Sequence, residues 1–249
     1  MSKKIIVIIS TLIGVGLIPL IWLFLHYYVG VGERFLPSPV RVFESILSLQ
    51  PNIIIHTLET SIRFIVGSVL GIISGIFLGL LLFKSKIINR LLAPSIQAIR
   101  AVPPIATIPF FLLWFGFSEI GRYLLVVVGI GFNITIATYQ ILNKLPEKYK
   151  VFFKSFSIKP QKRVLKFSLP VVLEKILPTV RFSLSTAIGL VIVSELLGAQ
   201  VGLGYLIQVA RATFSLEVVF LATMILGVIM VITDKFVVWA WKKMVFWEK

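Results

Sequence analysis

Apolar residues run along this chain in long blocks separated by short charged ones. Residues 5–25, 64–83, 101–117, 123–141 and 218–233 carry no charge, and residues 182–199 carry only Glu195. A helix needs roughly 20 mostly apolar residues to cross a bilayer. The pattern therefore predicts an all-α, polytopic membrane bundle of about six transmembrane helices. The first block follows Lys3 and Lys4, as in a signal peptide. It is longer than a usual signal core, however, and no A-x-A-like site follows it, so it is read as the first span.

The stretches between blocks are polar and rich in turn residues. Residues 26–63 hold Gly30, Gly32, Leu36-Pro37-Ser38-Pro39 and Pro51-Asn52, which predict an outer loop containing a short amphipathic helix near 40–49. Glu59 and Arg63, four apart, support a helix start. His26 and His56 fall in this loop and are expected at a surface or boundary. Residues 91–100 predict a short helix. The next block holds Pro103, Pro104 and Pro109, so its helix is expected to be broken near the start, with freed carbonyls that need partners. Residues 118–122 predict a tight polar turn. Gly198, Gly202 and Gly204 mark a loop before a short helix over 205–214.

Gly67, Gly71, Gly75 and Gly79 recur at every fourth position and fall on one helical face. Small residues so placed let a second helix backbone approach closely. Glu195 is the one acid inside a spanning block. An intramembrane carboxylate is costly and marks either a path lining or a pairing within the bundle, to a neighbouring helix or to the glycine loop that follows. Asn133, near Gly129 and Gly131, faces a polar cavity or bonds another helix. Asp234, beside Lys235, is expected to be paired or to reach the interface.

Composition sharpens the picture. Of 249 residues 58% are hydrophobic and 14% charged, and the formal net charge is +15. With the N-terminus inside, 20 of the 25 Lys and Arg lie on the inner side of a six-span topology and five lie outside. That bias predicts both termini in the cytoplasm. The basic residues then orient the chain and meet anionic headgroups, so nucleic acid is not the expected partner. There is no Cys and there are only two His. This leaves little material for a metal site, a nucleophile or an intramembrane enzyme, and no cofactor is implied. No G-x-x-x-x-G-K-[ST] loop is present, so the chain has no nucleotide cradle of its own.

Residues 143–181 are long, basic and patterned. Pro146-Glu147 opens a helix on which Tyr149, Phe152, Phe153 and Phe156 recur at i, i+3, i+4 and i+7, and Ser157-Ile158-Lys159-Pro160 closes it. An aromatic stripe of this kind suits a membrane interface. It equally suits a groove on a cytoplasmic partner.

Several fragments in order resemble the permease subunits of type I ABC importers, in the binding-protein-dependent transport family and nearest its nitrate/sulfonate/taurine branch. They are Leu36-Pro37-Ser38-Pro39, the glycine ladder, Arg100-Ala101-Val102-Pro103-Pro104, Leu113-Trp114-Phe115-Gly116, Leu169-Pro170, Glu195-Leu196-Leu197-Gly198-Ala199 and Gly202-Leu203-Gly204-Tyr205. The resemblance implies one permease domain over 1–249. Residues 1–63 would form the first span and outer loop, 64–238 the core spans, and 239–249 a cytoplasmic tail, with a coupling loop at 143–181.

The resemblance also implies a prokaryotic cell membrane and the bilayer as surroundings. The implied partners are ABC ATPase subunits on the cytoplasmic side, an external solute-binding protein and a second copy of the chain. It assigns ATPase coupling to Glu147, Tyr149, Val151, Phe152, Phe153, Phe156 and Ser157. The family's E-A-A…G signature would put its Glu on Val151, its two Ala near Phe152 and Phe153 and its Gly on Ser157, and none of those identities is kept. The implied solute is small and polar or anionic, with a vitamin precursor such as a pyrimidine or riboflavin as the alternative. A different class, an ion-coupled carrier or channel, would call for internal repeats and several intramembrane charges, and the sequence presents neither.

Overall fold

The computed structural model describes residues 3–49, 52–144 and 167–245. Among the described residues every regular element is helical. In chain order these are α1 (Lys3–Tyr27), α2 (Pro39–Ser48), α3 (Asn52–Lys84), α4 (Lys86–Ala101), a 3₁₀ turn (Pro104–Thr107), α5 (Ile108–Phe115), α6 (Glu119–Asn143), α7 (Leu169–Lys175), α8 (Leu177–Gly198), α9 (Leu203–Ala212) and α10 (Leu216–Met244). By length and composition α3, α6, α8 and α10 each cross a membrane. The pair formed by α4 and residues 104–115 adds a fifth crossing, bent by 96°. Gly16–Tyr27 of α1 is a shorter apolar helix.

The glycine ladder sets the centre of the bundle. A Cβ placed on Gly67 would meet Val126, on Gly71 Ile130, on Gly75 Ile134 and on Gly79 Thr138, with nearest approaches of 2.5–2.8 Å. Each partner lies 59 positions further along the chain, so α3 and α6 run parallel in one fixed register over about three turns. No side chain fits in that seam, and close backbone contact supplies the dispersion attraction that holds helices together in lipid. The opposite face of α3 shows Ile65, Val69, Ile73 and Phe77, all exposed, as a lipid-facing stripe requires.

α8 runs antiparallel to this pair and fills the core with Val180, Leu184, Ala187 and Val191 against Phe64, Leu125, Ile130 and Ile134. α10 lies further out. It buries Leu221, Ala222 and Leu226 and exposes Val228, Val231, Ile232 and Phe236. The bundle therefore has two ends. One gathers the starts of α3, α6 and α10 with the finish of α8; the other gathers Lys84, Asn143 and Leu177.

Several boundaries differ from the sequence expectation, each for a local reason. α3 starts at Asn52 rather than near 64, because the polar side chains of its first three turns find partners inside the bundle. The polar turn expected at 118–122 is a helix start: Ser118 caps α6 by accepting from the amide of Gly121 at 3.3 Å. The short helix expected at 91–100 begins at Lys86, where Ser85 accepts from the amide of Ile88. Pro103 and Pro104 do break the chain, whereas Pro109 sits in the first turn of α5 and ends nothing, since a first-turn amide has no helical acceptor to lose.

Candidate functional site

The most polar place in the bundle is at the first of these ends. Arg63 on α3 forks onto Glu119 at the start of α6, with Nε and Nη2 each 2.8 Å from a carboxylate oxygen. Its Nη1 donates to Glu195 Oε1 at 2.8 Å and to the carbonyl of Val201 at 2.7 Å. Glu195 also accepts from Thr60 Oγ1, at 3.0 and 2.9 Å to its two oxygens, and from the amide of Gly204 at 2.8 Å. Thr60 Oγ1 in turn accepts from the amide of Leu203 at 2.8 Å. Arg122 pairs with Glu119 and donates to the carbonyl of Gly198 at 2.7 Å. Glu195 and Thr60 are fully buried and Arg63 is 4% exposed.

The loop 199–202 is shaped by this carboxylate. Gly202 has φ of 136°, a conformation side chains rarely adopt. A Cβ there would fall onto the carboxylate of Glu195. Its amide donates to Nδ1 of His56 at 3.0 Å. His56 and Arg63, expected in an outer loop, are instead helical residues that tie α3 to α6, α8 and the loop after α8. Two guanidinium groups face three carboxylates, since Glu59 also stands 3.5 Å from Arg63 Nη2, and each buried charge has an opposite charge beside it. Such a cluster ties helices together and offers no nucleophile or proton relay. Among the described residues no group of three or more His, Asp or Glu is placed to hold a metal ion. An open cleft of about 580 Å³ borders the cluster, lined by Glu59, Glu119, Tyr123 and Gln200 among others.

Asn133 lies elsewhere, about halfway along α6, at the break between α4 and α5. It shares a small pocket with Arg100, Thr107 and Gly129. Gly129 leaves room there for Leu190 and Pro104. At the opposite end Asp234 does not use its neighbour Lys235. It accepts from Arg181 Nε and Nη2 at 2.6 and 2.8 Å and joins α10 to α8. The sequence-predicted residues Glu147, Tyr149, Val151, Phe152, Phe153, Phe156 and Ser157 lie outside the described residues. The flanking helices α6 and α7 bring the chain out and back at this same end. Sequence reasoning picked out Glu195 and missed Thr60, Glu119 and Arg122 as its circle. The available signal was a charged pair, Glu59 and Arg63, on a helical face that continues into the glycine ladder.

A multi-span bundle with a broken crossing and a close parallel helix pair is the kind of architecture a transport permease has. Residues 67–245 match the family described as the binding-protein-dependent transport system inner membrane component, and the chain belongs to that family: it is the permease subunit of an ABC importer. It is 34% identical over 225 residues to a Bacillus subtilis permease named for aliphatic sulfonates transport, covering 88% of this chain and 80% of the relative. It is 30% identical over 177 residues to a formylaminopyrimidine transport permease of Halalkalibacterium halodurans, covering 70% of this chain and 71% of that one. Among solved structures, the methionine ABC transporter MetNI in an inward-facing conformation aligns with a TM-score of 0.60 and 21% identity. The alignment covers 76% of this chain and 97% of that one, and this likeness concerns the fold.

Proposed function

We propose that two copies of this chain form the path of an importer for small organic anions of the aliphatic sulfonate type. In this reading a separate ATPase pair sits beneath residues 143–181, an external binding protein delivers solute to the charged-cluster end, and both termini face the cytoplasm. The observation that carries the reading is the convergence of α6 and α7 on the end that also bears Lys84, Lys86 and Arg181. The most basic segment of the chain leaves and re-enters the bundle there, as a cytoplasmic loop does. Its aromatic stripe at Tyr149, Phe152, Phe153 and Phe156 is the handle. Closure of the ATPase pair moves this handle, and α6 and α8 transmit the movement as a rigid-body switch between two packed states. The solute biases that switch only through its different affinity for the two states.

Copurification and uptake test the reading. The solubilised chain is expected to bring down an ATPase, and Phe152→Asp with Phe156→Asp to abolish this without loss of the folded chain. Cells carrying the whole transporter are expected to take up radiolabelled ethanesulfonate at the expense of ATP. Uptake of formylaminopyrimidine instead would favour the second relative's solute. Uptake by the chain alone, driven by an ion gradient, would overturn the reading.

A further inference from the structure

The break between α4 and α5 holds a cation that none of the described residues neutralises. Arg100 is in the last turn of α4 and exposed. Among the described residues neither it nor Asn133 has a hydrogen-bond or ion-pair partner. Both border the same small pocket, together with Thr107, whose hydroxyl is used on the carbonyl of Pro104 at 2.6 Å. No acidic residue lines that pocket. Pro104 has no N–H to return to the carbonyl of Arg100, so the break keeps backbone groups unpaired as well.

Depth makes this arrangement costly unless water reaches it. Asn133 lies ten residues before the end of α6 at Asn143. At 1.5 Å per residue this is about 15 Å, near the middle of a hydrocarbon layer roughly 30 Å thick. An unpaired guanidinium turned to lipid there is strongly disfavoured, and broken backbone is tolerated at such depth only beside protein or a water-filled cavity. A helix C-terminus alone accounts for a cation at Arg100, but not for an unpartnered amide from a second helix facing the same space.

Building on the anion-importer reading, we propose that Arg100 and Asn133 form an oxyanion station on the translocation path. The guanidinium fork and the amide N–H groups are all donors, and together they match the oxygens of a sulfonate headgroup. The contact replaces part of the headgroup's hydration while the solute passes the middle of the membrane. It is a passing contact, because a site that bound tightly would not release its solute.

The absence of Cys from the chain gives a direct test. Asn133→Cys, and Thr107→Cys as a second position should the first not fold, are expressed in the complete transporter in membranes. Each is treated with anionic sulfonatoethyl methanethiosulfonate or with its cationic trimethylammonioethyl counterpart. Relative to a free thiol in solution, the anionic reagent is expected to react with an advantage of about tenfold, the lower bound for charge focusing in a lined cleft. Arg100→Gln in the same background removes the advantage, Arg100→Lys keeps most of it, and added ethanesulfonate slows labelling. Equal rates, no reaction with either reagent at both positions, or an advantage that survives Arg100→Gln overturns the station. Failure of ethanesulfonate uptake with the charge preference intact would instead displace only the sulfonate reading.

Discussion

Nη1 of Arg63 lies 2.8 Å from Oε1 of Glu195, which joins α3 to α8 across 132 positions of chain, with Glu195 fully buried and Arg63 nearly so. Removing one partner of a buried pair costs more than the pair contributes, because the other charge stays buried without compensation. Arg63→Ala is therefore expected to destabilise the detergent-solubilised protein by about 3–5 kcal/mol, read as a large fall in Tm. Glu195→Gln should cost less, since Thr60 and Arg63 still have an oxygen to meet and Arg63 keeps Glu119. If Arg63→Ala melts like the parent, the cluster is not what fixes this end.

The seam between α3 and α6 gives a second prediction. Gly75→Ala puts a methyl against the carbonyl of Gly131 at 2.6 Å, and Gly79→Ala puts one against Thr138 and the carbonyl of Thr135. Backbone cannot yield as a side-chain tip does, and each change is expected to cost about 1–3 kcal/mol by overpacking. Gly227 on α10 has nothing within 4 Å of its Cβ position. Gly227→Ala should gain roughly 0.5–1 kcal/mol through helix propensity. Thermal scans of the three variants check the contrast, and equal behaviour would refute the close parallel seam.

What could be read in the sequence follows from what is local. Uncharged blocks located the spans because lipid imposes length and hydrophobicity on each one separately. The four-residue glycine spacing marked a contact face because helical periodicity is local as well. The sequence did not say which helix met that face, since a constant offset of 59 positions is visible only in the fold. The first turns of α3 read as part of the outer loop, although Glu59 and Arg63 signal a helix start, because polar residues such as His56 look out of place inside a bundle. Glu59 meets Arg63 locally, but the partners of Arg63 at Glu119, 56 positions away, and Glu195, 132 away, and that of His56 at Gly202, 146 away, lie beyond any local pattern. Asp234 is paired as expected, but its partner, Arg181, lies 53 positions back and could not be named from local pattern.

The loop after α8 should be unusually intolerant. Gly202→Ala meets two obstacles at once: a positive φ of 136° and the carboxylate of Glu195 where the methyl must go. The strain alone is worth about 1–3 kcal/mol, and displacing the carboxylate loosens its bonds to Arg63 and Gly204. The expected outcome is a loss comparable to Arg63→Ala. Combining the two changes should cost less than their sum, because both break one network. Strict additivity of the two Tm shifts would contradict a shared cause.

A final prediction concerns how movement reaches the spans. The indole Nε1 of Trp241 near the end of α10 donates to the carbonyl of Leu173 at 2.6 Å, so α10 holds α7, the helix that follows the proposed ATPase-coupling segment. Trp241→Phe keeps an aromatic ring there and removes the donor, at a cost of about 1 kcal/mol. On the proposed coupling route, a less firmly held α7 would absorb part of the ATPase stroke before it reached α8. In the reconstituted transporter, solute moved per ATP is expected to fall while ATP hydrolysis continues. Trp239 is the matched control: it is exposed, and its ring meets Phe236 and the ammonium of Lys243. Trp239→Phe should leave the ratio unchanged, and an equal fall in both variants would remove α7 from the coupling route.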